Sequence, residues 1–160
     1  MSIAASVKTQ ITTVETLEEN VADVAAPALS HTGHNTAQTF GAATTPPGTK
    51  CSYELCALSE AAKTVDLTDL TGSNGAAIDG SGLRVQAIKI KHLGDNPLTV
   101  EEGDTNGYDG FGASFLVILE KDAEITLIPQ DAGADISGTN KTLDFSGTGS
   151  ETFELSLILG

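Results

Sequence analysis

Four groups of residues in this chain have the types and spacing for chemistry. The densest is the acidic loop 101–110, Glu101-Glu102-Gly103-Asp104-Thr105-Asn106-Gly107-Tyr108-Asp109-Gly110, which sets hard oxygen ligands beside glycines as calcium sites do. It does not make an EF-hand. Counted from Asp104, Asn106 suits the third position, but Tyr108 fills the fifth, Asp109 stands where the turn needs Gly, and Phe115 replaces the closing Glu. The loop therefore reads as a solvated turn. His31 and His34 with Cys51 and Cys56 form a second set, of the type His-x2-His…Cys-x4-Cys that could hold zinc. The cysteines would need a turn between them, whereas Tyr53-Glu54-Leu55 alternates as a strand does, so two reduced thiols and a solvent-facing His pair are expected. On one strand the odd separation of Cys51 and Cys56 points them to opposite faces, which also argues against a disulfide.

The third group is nucleophilic, and it is incomplete. A catalytic Ser or Cys needs a base and an orienting group, yet there is no Gly-x-Ser-x-Gly elbow, and His92 only follows a Lys-rich strand end. The fourth consists of Gly107, Gly110 and Gly112, which resemble a phosphate-binding loop without the helix that would receive the anion. Paired carboxylates for glycoside hydrolysis would lean on aromatic platforms, and the chain has no Trp. The expectation is a protein that is not an enzyme, with no catalytic residue, no cofactor and no metal.

The elements that would carry these residues follow from composition and period. The chain has 160 residues, with 22 acidic against 8 basic side chains for a formal charge of −14. Its length suits one domain with an arm. Phosphate-tracking proteins cluster their cations, whereas here eight are scattered from Lys8 to Lys141, so neither nucleic acid nor an anionic membrane is an expected partner. The longest strongly apolar run, 115–119, is far short of the ~20 residues that span a bilayer. The N-terminus lacks the charged-then-apolar pattern of a secretory signal, and cytoplasmic synthesis is expected.

Residues 1–50, with Pro27, Pro46, Pro47 and a Thr/Ala/Gly/Ser-rich stretch, read as an N-terminal arm and loop. Ile3, Val7, Ile11, Val14, Leu17, Val21 and Val24 recur at spacings of three and four, a helical stripe. Residues 6–17 are nevertheless rich in Thr and β-branched side chains, which favours strand or extended arm there. Residues 51–160 read as the folded domain. Eight runs alternate with period two, at 52–58, 62–67, 83–91, 97–101, 114–120, 123–129, 141–146 and 151–159, separated by Gly, Asn and Asp clusters. In the last run Phe153, Leu155, Leu157 and Leu159 share one face. In 83–91 the apolar parity switches from Leu83, Val85 and Ala87 to Ile88 and Ile90, which predicts a β-bulge near Ala87. Lys121-Asp122 fits a two-residue hairpin between 114–120 and 123–129. The predicted fold class is all-β, an antiparallel two-sheet β-sandwich of jelly-roll type with an extended N-terminal arm. An immunoglobulin-like topology is the rival, weakened by the missing Trp and Cys pair.

The runs 64–72, 82–91, 98–100, 106–108, 125–127, 141–149 and 157–160, with Asn106-Gly107-Tyr108 and Gly147-Thr148-Gly149 at turns, resemble those of small Gly-rich virion structural proteins of tailed bacteriophages. The likeness spans about three-fifths of the chain as a pattern of strands and turns and holds no catalytic signature. It implies a capsid decoration or cement protein on the capsid exterior, a homo-oligomer that binds the major capsid protein through its arm and one end of the sandwich. The alternatives are a tail, head-to-tail or host-attachment component, and a carbohydrate-binding module or adhesin with Tyr108 and Phe111 as contacts.

Overall fold

A computed structural model describes residues 3–16, 28–31, 35–72, 75–129 and 134–160. Among them are fourteen strands and no helix. Four lie toward the N-terminus: β1 (Ala4–Thr9), β2 (Thr13–Thr16), β3 (Ala28–His31) and β4 (Thr36–Gly41). The eight expected runs correspond to β5 (Lys50–Ala57), β6 (Ala62–Asp66), β9 (Val85–His92), β10 (Leu98–Glu102), β11 (Leu116–Leu119), β12 (Glu124–Leu127), β13 (Thr142–Ser146) and β14 (Thr152–Leu159). Two short strands between β6 and β9, β7 (Leu70–Thr71) and β8 (Ala77–Ile78), pair with each other.

The eight longer strands build two antiparallel four-stranded sheets, ordered β12-β9-β14-β5 and β11-β10-β13-β6. Their pairing is nested. β5 pairs with β14, β6 with β13, β9 with β12, and β10 with β11. Apart from β10 to β11, each step along these eight strands changes sheet.

One core lies between the sheets. Period-two alternation on β14 buries Phe153, Leu155, Leu157 and Leu159, while Thr152, Glu154 and Ser156 face the other way. Ile88 and Ile90 of β9 meet Leu157 and Leu155 in register, and Val100 of β10 meets Phe145 of β13. The rings of Phe145 and Phe153, one from each sheet, stack with centroids 4.3 Å apart. The bulge falls where parity places it. Ile158 pairs with Ala87 and Leu159 with Val85, so Gln86 is the extra residue; Val85, Ile88 and Ile90 all stay inward, while Ala87 turns outward beside Ile158.

The turn at Lys121-Asp122 corrects the hairpin expectation. Ala123 N–H donates to Glu120 O at 2.9 Å, and Asp122 takes a positive φ of 61°. The flanking strands do not pair, because Leu119 is opposite Leu98 in one sheet and Glu124 opposite Lys91 in the other. Turn chemistry fixes a reversal of the chain; it does not choose the strand's partner.

The chain divides into two compact units, Ser6–Thr39 and a larger one formed by Phe40–Gly160 with the residues up to Ala5. The larger unit thus starts ahead of residue 51. Phe40 is buried at 2% exposure, and a Cβ on Gly48 would lie 2.7 Å from the Phe40 Cβ and 3.3 Å from Ile158 Cγ2. Since Ile158 is the outward neighbour of Ala87, this segment covers one end of that sheet's outer face. In the smaller unit β2 pairs antiparallel with β3, Thr13 opposite His31, and Ile11 N–H donates to Asn35 Oδ1. β-Branched composition, rather than the three-and-four spacing, decides β1 and β2; Leu17, Val21 and Val24 of that stripe lie outside the described residues.

The core assignment predicts that Leu155→Ala costs about 2–5 kcal/mol in denaturant unfolding, whereas Leu116→Ala, at 55% exposure, costs less than about 1 kcal/mol. Equal costs would contradict the face assignment.

Candidate functional site

The acidic loop turns on Tyr108. Its side chain is fully buried; the hydroxyl accepts from Val85 N–H at 3.1 Å and donates to Ala134 O at 3.0 Å. The backbone approaches so closely that a Cβ on Gly110 would fall 2.3 Å from Tyr108 Cζ. The expectation of Tyr108 as a glycan contact is therefore corrected: an amphipathic ring beside a glycine is used as a bolt, its polar tip satisfied inside. Phe111 packs edge-on to Tyr108 at 5.5 Å and against Phe115 at 5.2 Å. Phe111 and Phe115 line a cleft of about 590 Å³ with Asp109, Leu127 and Pro129.

Two of the loop's carboxylates hold neighbouring turns: Glu102 Oε2 accepts from Ser114 N–H and Asp109 Oδ1 from Asn140 Nδ2–H, while Asp104 N–H donates to Asp144 Oδ2 on β13. No group of three His, Cys, Asp or Glu among the described residues is gathered to hold a metal.

Cys51 and Cys56 are free thiols on β5, Cys51 half-buried on the outer face and Cys56 buried on the inner. A single ion cannot bridge the two faces of one strand. Burial pushes the Cys56 thiol up, only partly countered by Lys63, so it is a poor nucleophile. His31 belongs to β3, and His34 lies outside the described residues.

A cluster that sequence reasoning missed closes the turn between β9 and β10. His92 is fully buried; its Nε2–H donates to Asn96 O at 2.7 Å, and Nδ1 faces Gly94 N–H at 3.4 Å. Buried Glu151 accepts from Asp95 N–H and from Asn96 Nδ2–H at 2.8 and 2.6 Å. A side chain at position 94 would displace the Glu151 carboxyl from this turn, because a Cβ there would sit 1.7 Å from Oε2. The Asn96 hydrogen bond holds the Glu151 carboxyl below its ordinary value. The only signal in the sequence was the Gly94-Asp95-Asn96 turn, since Glu151 is 55 residues from Asn96.

The remaining candidates are surfaces. Large exposed apolar side chains are Ile11 and Val14 in the smaller unit, Tyr53 and Leu55 on β5, Leu93 in the turn after β9, and Leu116 and Ile118 on β11. The run 115–119 is the longest strongly apolar stretch of the sequence. An edge position, rather than a buried one, explains its exposure.

Comparison with protein-family models, with curated proteins and with solved structures finds no match.

Glu151 gives a pH prediction. A carboxyl with a depressed folded value adds stability that is present above its unfolded value near 4.3 and is lost as pH falls through the folded value. Glu151→Gln should melt lower than the native chain at neutral pH and lose less on acidification, so that the two melting curves converge at low pH. Parallel curves would show that Glu151 does not couple to the fold.

Proposed function

We propose that this chain is a non-enzymatic structural protein of a tailed-bacteriophage virion, a capsid decoration protein that binds the major capsid protein on the shell exterior as a homo-oligomer. Its nested strand order we read as that of a jelly roll. The virion setting rests on the resemblance of the strand and turn runs between residues 64 and 160.

One observation carries the binding role. β1 and β4 lie side by side, β2 pairs with β3, and the described side chains of residues 8–14 are exposed, Ile11 at 74% and Val14 at 65%. A two-stranded ribbon is marginal in water, because it has no third strand or packed face on which to bury its apolar side chains. A neighbouring subunit supplies that surface by strand addition, in which main-chain hydrogen bonds give affinity and alternate side chains give register. The sandwich, with its own core, needs no such completion. A charge of −14 keeps free copies apart before assembly.

The test is cosedimentation with expanded, empty phage heads, followed by electron cryomicroscopy of the pellet. Ordered density on the shell is expected for the native chain, and Ile11→Ser with Val14→Ser should weaken binding without lowering the melting temperature. Density confined to tails would move the protein to a tail or attachment role. Binding only to glycans would support the carbohydrate-binding alternative.

A further inference from the structure

Two sheets have four edges, and three of these are blunted. β12 is four residues long and carries Glu124, with Pro129 close after it. β5 is covered near Ser52, which bridges to Gly72, and Thr71 N–H donates to Glu54 Oε1 at 2.7 Å. β6 carries Lys63 and Asp66. Charges, Pro and covering segments are how natural sheets keep strangers off their edges. β11 is as short as β12 and is followed by Glu120, but within the strand itself it has none of them. It reads Leu-Val-Ile-Leu, keeps an unbroken register with β10, and exposes Leu116 at 55% and Ile118 at 58%. Half of an edge strand's N–H and C=O groups point away from its one neighbour, and no hydrogen bond from Leu116–Leu119 to any described residue other than those of β10 is found.

We propose that β11 pairs antiparallel with β11 of a second copy across a two-fold axis at Val117, merging two four-stranded sheets into one of eight. The geometry favours this occupant on three counts. Centring on Val117 puts Leu116 opposite Ile118 of the other copy and Ile118 opposite Leu116, so that the exposed apolar residues meet on one face, as period two demands. That face is acidic along its rows: Leu116 lies beside Glu101 and then Asp144, Ile118 beside Thr99 and then Ser146, with no cation among them. An acidic strand would be repelled there, whereas residues 114–119 bring no charge. The pairing also keeps the two Glu101 carboxylates about 16 Å apart, from three strand spacings and a two-residue offset, beyond a screening length of about 10 Å.

Four residues a side bury far less than the roughly 1,200 Å² of a stable free-standing complex, so the dimer is concentration-dependent and strengthens as salt screens the two charges of −14. This inference specifies the homo-oligomer in the reading above, and its test is scored separately from shell binding.

Sedimentation equilibrium of the full chain, over a hundredfold range of concentration at low and high salt, should show a reversible dimer favoured by salt. Ile118→Lys and Leu116→Lys should each leave a monomer of unchanged melting temperature, while Leu55→Lys on β5 keeps the dimer. Register is read by cross-linking in a Cys51→Ser background: Leu116→Cys mixed with Ile118→Cys should form a disulfide with copper phenanthroline, and neither variant alone should. A monomer under all conditions, a dimer that survives Ile118→Lys, or one lost only with Leu55→Lys would overturn the pairing. A chain that binds shells yet stays monomeric in solution would overturn the edge pairing and leave the shell reading standing; a dimer that ignores shells would do the reverse.

Discussion

The structure depends on one strand that is apolar on alternate residues and paired on both sides. β14 lies between β5 and β9, and all four of its inward side chains, Phe153, Leu155, Leu157 and Leu159, are buried. A one-residue slip would turn this set to solvent, at roughly 1.5–3 kcal/mol for each side chain, so the register of the sheet is fixed by burial. The bulge at Gln86 lets β9 obey the same constraint while feeding Val85 and Ile88 to one face. The stack of Phe153 on Phe145 then ties the second sheet to the first.

With the core committed in this way, the ends of the sandwich are closed by polar groups that are satisfied internally. Tyr108 bolts one loop to Val85 and Ala134, and Glu151 gathers the turn beside His92. These are the residue types that a search for chemistry picks out first, and their hydrogen bonds are spent on holding turns. The large apolar side chains left outward lie mostly on strands: Tyr53 and Leu55 on β5, Leu116 and Ile118 on the β11 edge, and Val14 with neighbouring Ile11 in the ribbon. Surfaces of that kind can accept added strands, which is why the function proposed for the chain is one of assembly.

How much of this was legible follows the range of each interaction. The eight strands were readable because alternation is local, and the bulge because a parity switch within 83–91 is local too. The reversal at Lys121-Asp122 was readable, but its partners were not, since pairing of Leu119 with Leu98 and of Glu124 with Lys91 is decided by the whole sandwich. The carbohydrate-binding alternative takes Tyr108 as a contact because an aromatic in an acidic, Gly-rich loop looks the same whether it points out or in; its burial and the close approach of Gly110 show that it points in. The edge position of 115–119 was hidden for the same reason, since an uninterrupted apolar run is ordinarily a buried strand.

The chain contrasts a sandwich that closes on β14 with a smaller unit whose described side chains are mostly exposed, a difference that should show as stability. Amide hydrogen exchange of the free chain at low concentration tests it most directly, because it reports the opening free energy of each segment. Slowest exchange is expected in residues 153–158 and their partners 88–91, with residues 6–14 losing protection many orders of magnitude faster. Protection of residues 6–14 equal to that of β14 would contradict the division and make the ribbon part of the cooperative core.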